Sequence, residues 1–370
     1  MARRVFIHIG LPKTATSYLQ TILWSSRDQL RADGLLLPGR ERRDHLWASR
    51  VVRGSDGIAR RAEHERTSWE RLRAELADWD GDGLVSHEFF AAASSEQAVG
   101  MVEALAPAQV EVVVTAREPL GLFTASWQES LKNRSTTPMA DYSRAESPNP
   151  GAIWNWRTLD LRLVLERWSA AVPHDRIHVL PLDRTAPRDE IWHRFGGLLG
   201  LPTADYDLSQ SFPNESMGVV EAELLRRVNA HLDSFDKAFD RGVYIRTFLA
   251  DERLVPRKGE KFWPYPDQVE ECRRRSLAAI DYLREHGVDV VGDVDHLRVP
   301  DELPERRTPD SVTDAEVAAA ATELVAVLLG DVRELRNAAR RGGAEAAPGL
   351  ADRLRKRLGR WRSPRRSGGR

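Results

Sequence analysis

The stretch "VFIHIGLPKTATSYLQ", residues 5–20, reads as a strand, a glycine turn and the start of a helix. Residues 5–9 are β-branched and apolar enough for a strand. Tyr18, Leu19, Ile22 and Leu23 share one face of a helix predicted over 16–30. Between them Gly10 permits a tight turn, and Lys13 is followed by Thr14, Thr16 and Ser17. A helix N-terminus exposes unpaired N–H groups and a partial positive charge, so it favours an anion. One ammonium and three hydroxyls at that end make a phosphate cradle. The bland alternative is a loop lysine beside ordinary N-cap hydroxyls.

Outward from this turn, strand and helix patterns alternate through the first 200 residues. "DGLVSHEFF" (82–90) gives a short strand, and "VEVVVTAREP" (110–119) is a near-continuous apolar run of the kind buried on both faces. "DRIHVLPLD" (175–183) gives another strand. Helices are predicted over 68–79, 94–106, 120–132, 153–172 and 189–201. The alternation implies an α/β fold, a parallel sheet with helices on both faces. The sheet core is expected within about 4–200 and a mainly helical part within about 217–341, together one domain over 1–341. Residues 35–65 read as loop with short helices, and 233–266 as a long connection. The arginine-rich segment 342–370 is expected to be a mobile basic tail, able to make weak contacts with anions.

Composition narrows the function classes. The chain has 370 residues, 41% apolar and 30% charged, with a formal charge of −1, so wholesale binding to nucleic acid is not expected. A single cysteine, Cys272, rules out an intrachain disulfide and fits a reducing compartment. The first twelve residues are too broken to read as a signal peptide, and no apolar run approaches the ~18 residues of a membrane span. The expected address is therefore cytoplasmic. No zinc-protease histidine spacing, cysteine cluster or G-x-S-x-G elbow is present, which argues against metal hydrolases and serine hydrolases.

An ordinary Walker A loop has four residues between its glycine and a Gly-Lys pair; here only Leu11 and Pro12 separate Gly10 from Lys13. A nucleotide triphosphatase also ends a second strand in an acid that helps to hold magnesium. The strand over 110–116 runs instead into Arg117, a group for a second anion. The ligand expected from these residues has two phosphate clusters and needs no metal.

"GLPKTATSYLQ" resembles the 5′-phosphosulfate loop of the sulfotransferase family, and "VVVTAREPLGLFTASWQESLK" resembles that family's 3′-phosphate element. "RFGGLLGLP" (194–202) and "PNESMGVVEAELLRRVN" (213–229) resemble downstream segments of its bacterial members. The resemblance implies a P-loop NTPase-like fold and 3′-phosphoadenosine 5′-phosphosulfate (PAPS) as sulfuryl donor. It implies that Gly10, Pro12, Lys13, Thr14, Ala15, Thr16 and Ser17 hold the 5′ end, Arg117 the 3′-phosphate, and that Lys13 is also catalytic. The family often has Gly where Ala15 stands, and its usual Ser stands where Ala125 stands, so Thr124 and Ser126 become the candidates. "RKGEKFW" (257–263) matches the family's glycine-rich segment only in Arg257, Lys258 and Gly259 and reads as a basic loop.

The acceptor proton needs a base. Glu88 is favoured, with His87 and His45 as further candidates; His87 and Glu88 point to opposite faces if their strand continues. His8 reads as structural, and the "WQESLK" helix with Gln128 and Lys132 as a solvated face. Of eleven tryptophans, Trp24, Trp47, Trp127, Trp154 and Trp156 flank the site and are read mainly as core. A small-molecule, carbohydrate or lipid acceptor is expected. The rival readings are a P-loop small-molecule kinase and a non-catalytic nucleotide-binding scaffold.

Overall fold

The computed structural model describes residues 1–209 and 216–340. The basic segment 342–370, and residues 213–215 of the stretch quoted above, lie outside the described residues.

Six strands form one sheet: β1 (Arg4–His8), β2 (Leu35–Leu36), β3 (Asp82–Ser86), β4 (Gln109–Ala116), β5 (Ile177–Pro181) and β6 (Asp289–Val290). Their order is β2-β3-β1-β4-β5-β6, and every neighbouring pair is parallel. The fold is thus a parallel α/β sheet with helices on its faces and a mainly helical C-terminal part. From β1 the chain builds one half of the sheet and then crosses back to build the other. The crevice beside β1 is therefore a topological switch point, where open parallel sheets bind ligands.

The faces follow from the strand residues. Phe6, Leu84, Val113 and Leu180 pack with Leu19, Leu23, Trp192 and Phe195, from helices Thr16–Ser25 and Glu190–Leu198. On the other face Leu76, from helix Ser68–Ala77, lies over Gly83, where an added Cβ would come within 2.2 Å of it. Each fully buried leucine contributes about 1.5–3 kcal/mol. Cys272, on helix Pro266–His286, is fully buried, and burial pushes its thiol pKa up.

Three segments depart from expectation. The helix over 16–30 breaks at Ser26 into Thr16–Ser25 and Arg27–Ala32. The helix over 153–172 divides at Asp160, whose carboxylate accepts from Leu163 N at 3.2 Å and starts a new helix, Leu161–Trp168. A short polar side chain that bonds local backbone competes with helix continuation. The connection 233–266 contains a helix of π type, Arg241–Leu254. Residues Met1–Ser311 make one compact unit; the helix Asp314–Arg340 belongs to a second, which begins at Val312. Among the described residues, no helix is long and apolar enough to cross a membrane.

Candidate functional site

The loop after β1 is pinned from below. Leu11 N donates to Thr115 O at 2.8 Å, and the Thr14 and Thr115 hydroxyls are 2.9 Å apart. His8 bridges β3 and β4 beneath the loop, with Nδ1 2.9 Å from Ser86 Oγ and Nε2 3.2 Å from Thr115 Oγ1. Gly10 has φ +38°, and a Cβ there would lie 2.6 Å from Thr16 Oγ1, so both backbone and space demand glycine. Lys13 and Ala15 also take left-handed backbone, at φ 71° and 63°. For residues with a Cβ that costs about 1–2 kcal/mol each. A glycine at position 15 would not bear this cost.

The loop opens onto a cavity of about 620 Å³ at the carboxyl edge of β1, β3 and β4. Pro12, Lys13, Ala15, Thr16, Ser17, Glu88, Arg117 and Thr124 all line it. Its described lining holds eight lysines or arginines and four acids, a net cationic wall. Two of its donors are buried without a hydrogen-bond partner among the described residues: Thr16 Oγ1 and Arg117 Nε. Arg117 otherwise reaches Glu118 Oε1 at 3.3 Å. Burial lowers the Arg117 pKa, which the charge of Glu118 partly offsets. Gly121 leaves room for this guanidinium, since a Cβ there would lie 2.2 Å from Nη2.

Other expected site residues sit elsewhere. Thr14 is buried under the loop, held by Leu11 O and Thr115, and does not line the cavity. Ser126 is fully buried and bonded to Tyr142 Oη at 2.6 Å, away from the cavity, because the next residue round the helix, Ala125, takes the cavity face. Thr124 faces the cavity, but its hydroxyl already donates to Leu120 O at 2.9 Å. His45 is fully buried off the cavity; Nε2 donates to Pro38 O at 2.8 Å and Nδ1 accepts from Ser86 N at 3.0 Å. β3 ends at Ser86, so His87 and Glu88 do not alternate along a strand. His87 caps the short helix Glu88–Ala92, its Nδ1 accepting from Phe89 N at 3.1 Å, and is not among the lining residues. Glu88 turns into the cavity with one buried oxygen, Oε2, that has no hydrogen-bond partner among the described residues. Burial opposes its ionisation, but the nearby His87, a backbone N–H and Arg42 together outweigh burial and hold its pKa below the ordinary value.

The helix Pro119–Lys132 is not solvated on its "WQESLK" face. Gln128 accepts from Met217 N at 2.9 Å, Lys132 pairs with Asp251 at 2.7 Å, and all three of Gln128, Glu129 and Lys132 are buried. Glu129, which the sequence reading did not single out, lies 3.1 Å from Lys13 Nζ and pairs also with Arg246. Burial would raise its pKa, yet Lys13, Arg246 and Lys132 together bring it down to about 2. Its only sequence signal is an acid four residues after Ala125 on the helix that follows Arg117. The basic loop 257–263 also reaches the site, through Lys261, Phe262 and Trp263, while Arg257 is drawn to Glu221 at 3.2 Å. Trp154 lines the cavity; Trp127 and Trp156 are core.

Glu129 occupies the cations that an incoming anion would use. Glu129→Gln is expected to destabilise the free protein by about 3 kcal/mol or more, since one side of a buried ion pair is removed. Inorganic phosphate should then raise the melting temperature of the variant more than that of the parent. Equal melting temperatures, or equal phosphate effects, would contradict the arrangement.

No protein-family model matches the chain, and no curated protein matches it. Among solved structures it is similar to a sulfotransferase from Alicyclobacillus acidocaldarius, at 17% identity and a TM-score of 0.38, over 65% of this chain and 100% of that one.

Proposed function

We propose that the chain is a sulfotransferase that moves a sulfuryl group from PAPS to a hydroxyl or amine of an acceptor, without a metal ion. The observation that carries this reading is that Lys13 and Arg117, from the ends of β1 and β4, line the same cavity. A buried donor left unmade costs about 1–3 kcal/mol, and Thr16 Oγ1 and Arg117 Nε are two such donors on this wall. A nucleotide with a phosphate at each end fits that pair of groups.

In this reading the loop of Gly10–Ser17 holds the 5′ end and Arg117 the 3′-phosphate, a planar fork matched to phosphate oxygens. The donor, when bound, supplies an activated sulfuryl group. Lys13 stabilises charge on the departing phosphate oxygens, as single positioned cations do in phosphoryl transfer. Glu88, ionised at neutral pH, accepts the acceptor proton. The kinase reading is disfavoured by Glu118, the acid beside the end of β4. Its carboxylate accepts from Gly121 N at 2.6 Å and pairs with Arg117 and Arg184.

Thermal shift tests the reading. Adenosine 3′,5′-bisphosphate should stabilise the protein without magnesium, and labelled sulfate should pass from PAPS to an acceptor mixture. Stabilisation by ATP with magnesium alone would favour the kinase. Nucleotide binding with no transfer to any acceptor would favour a scaffold. Arg117→Ala should weaken the bisphosphate about 10–100-fold, the value of lost charge-assisted hydrogen bonds. It should change binding of adenosine 5′-phosphate far less. Equal losses for the two nucleotides would remove Arg117 from the 3′ site.

A further inference from the structure

A second cavity, of about 360 Å³, adjoins the first. Phe89 lines both. Its walls are Trp47 and Phe89, its charged lining Arg50, Arg53 and Arg61 against a single acid, Asp56. The arginines lie on aromatic rings: Arg50 and Arg61 sit 4.9 and 5.2 Å from the Trp47 ring centre, and Arg53 5.7 Å from that of Phe89. Arg53 is buried and fixed by Ser49 O at 3.0 Å and Pro150 O at 2.6 Å. Burial, with the like charges of Arg50 and Arg157, brings its pKa down to about 10. None of the three arginines has an ion pair among the described residues, and the Arg50 and Arg61 guanidiniums have no hydrogen bond there either.

Three cations gather around two aromatic rings here, with one acid, Asp56, among the lining residues. Like charges at this range repel, and the site's free guanidinium donors match an oxyanion. The cavity begins where Phe89 ends the wall of the first, next to Glu88.

We propose that this second cavity is an acceptor subsite that grips a carboxylate or sulfate carried by the acceptor. The acceptor is then an acidic compound, its reacting hydroxyl lying on the Glu88 side of Phe89. This assignment rests on the sulfotransferase reading for the identity of the first cavity, but the anion grip is measurable without it.

Calorimetry on the full chain saturated with adenosine 3′,5′-bisphosphate tests it, with two matched pairs of probes: 4-hydroxybenzoate against its methyl ester, and glucuronate against glucose. At least one acidic probe should bind about tenfold or more tightly than its neutral partner. Arg50→Gln with Arg61→Gln should abolish that preference while the protein still unfolds cooperatively and its bisphosphate affinity is unchanged. Arg50→Gln alone should remove part of it. No preference in either pair, or a preference that survives the double substitution, overturns the proposal. If the bisphosphate fails to bind but the acidic preference persists and depends on Arg50 and Arg61, the anion subsite stands and the sulfotransferase reading falls.

Discussion

Lys13→Met is expected to slow sulfuryl transfer by about 10²–10³-fold, the loss typical of one positioned electrostatic group. Lys13 is partly open to the cavity and is held by Glu129 at 3.1 Å, so its ammonium is aimed before any ligand arrives. Methionine keeps the length of the side chain and removes the charge. Glu129 keeps Arg246 as a partner and Lys132 as a neighbouring charge, so the fold should persist. The loss should appear mainly in the rate. Charge on the bridging oxygen grows as the sulfuryl group departs, so the ammonium matters more in the transition state than in the bound ground state. Single-turnover transfer of labelled sulfate, set beside bisphosphate affinity, checks this. A variant that loses bisphosphate affinity while the single-turnover rate at saturating donor is unchanged would show that Lys13 only binds.

Stability should fall steeply with acid. His8, His45 and His87 gather at the carboxyl ends of β1 and β3, where burial lowers them to about 3, 4 and 4. Their hydrogen bonds fit neutral rings: His45 Nδ1 and His87 Nδ1 each accept from a backbone N–H. In the unfolded chain each ring titrates near 6.5. Between about 6.5 and 4 the unfolded state binds more protons than the native one. Stability present above 6.5 is therefore lost as pH falls towards the native values. Each ring contributes a slope of up to about 1.4 kcal/mol per pH unit, so the three together approach about 4. That is a large share of a typical 5–15 kcal/mol. Carboxylates held low, such as Glu129 and Glu88, act in a more acid window. Urea unfolding at pH 7.5, 6.5, 5.5 and 4.5 measures the slope. His45→Gln, whose amide can keep both hydrogen bonds, should flatten it by about one proton. A flat stability between 6.5 and 4.5 would mean that the rings ionise in place.

Local pattern carried the reading of β1, its turn and the helix beyond, because strand alternation, a glycine and a run of hydroxyls lie within sixteen residues. β4 and Arg117 were legible for the same reason. Partners distant in sequence were not. Glu129 meets Lys13 across 116 residues and Arg246 across 117. Gln128 meets Met217 through a fold that no spacing rule encodes. The "WQESLK" face looks polar enough for solvent, yet it is buried because its polar groups find partners on other segments. β2 and β6 have two residues each, too few to show any period. His45 and Ser126 are residues of the right chemical type whose backbone positions turn them into the interior.

The brevity of those two border strands has its own effect. A long, flat margin offers unpaired amides and carbonyls on which a stranger's strand can zip. Here each outer rim presents only Leu35–Leu36 or Asp289–Val290. Such a sheet gives little foothold for edge-to-edge aggregation, and fraying at either rim would leave the central β1–β4 pairing untouched.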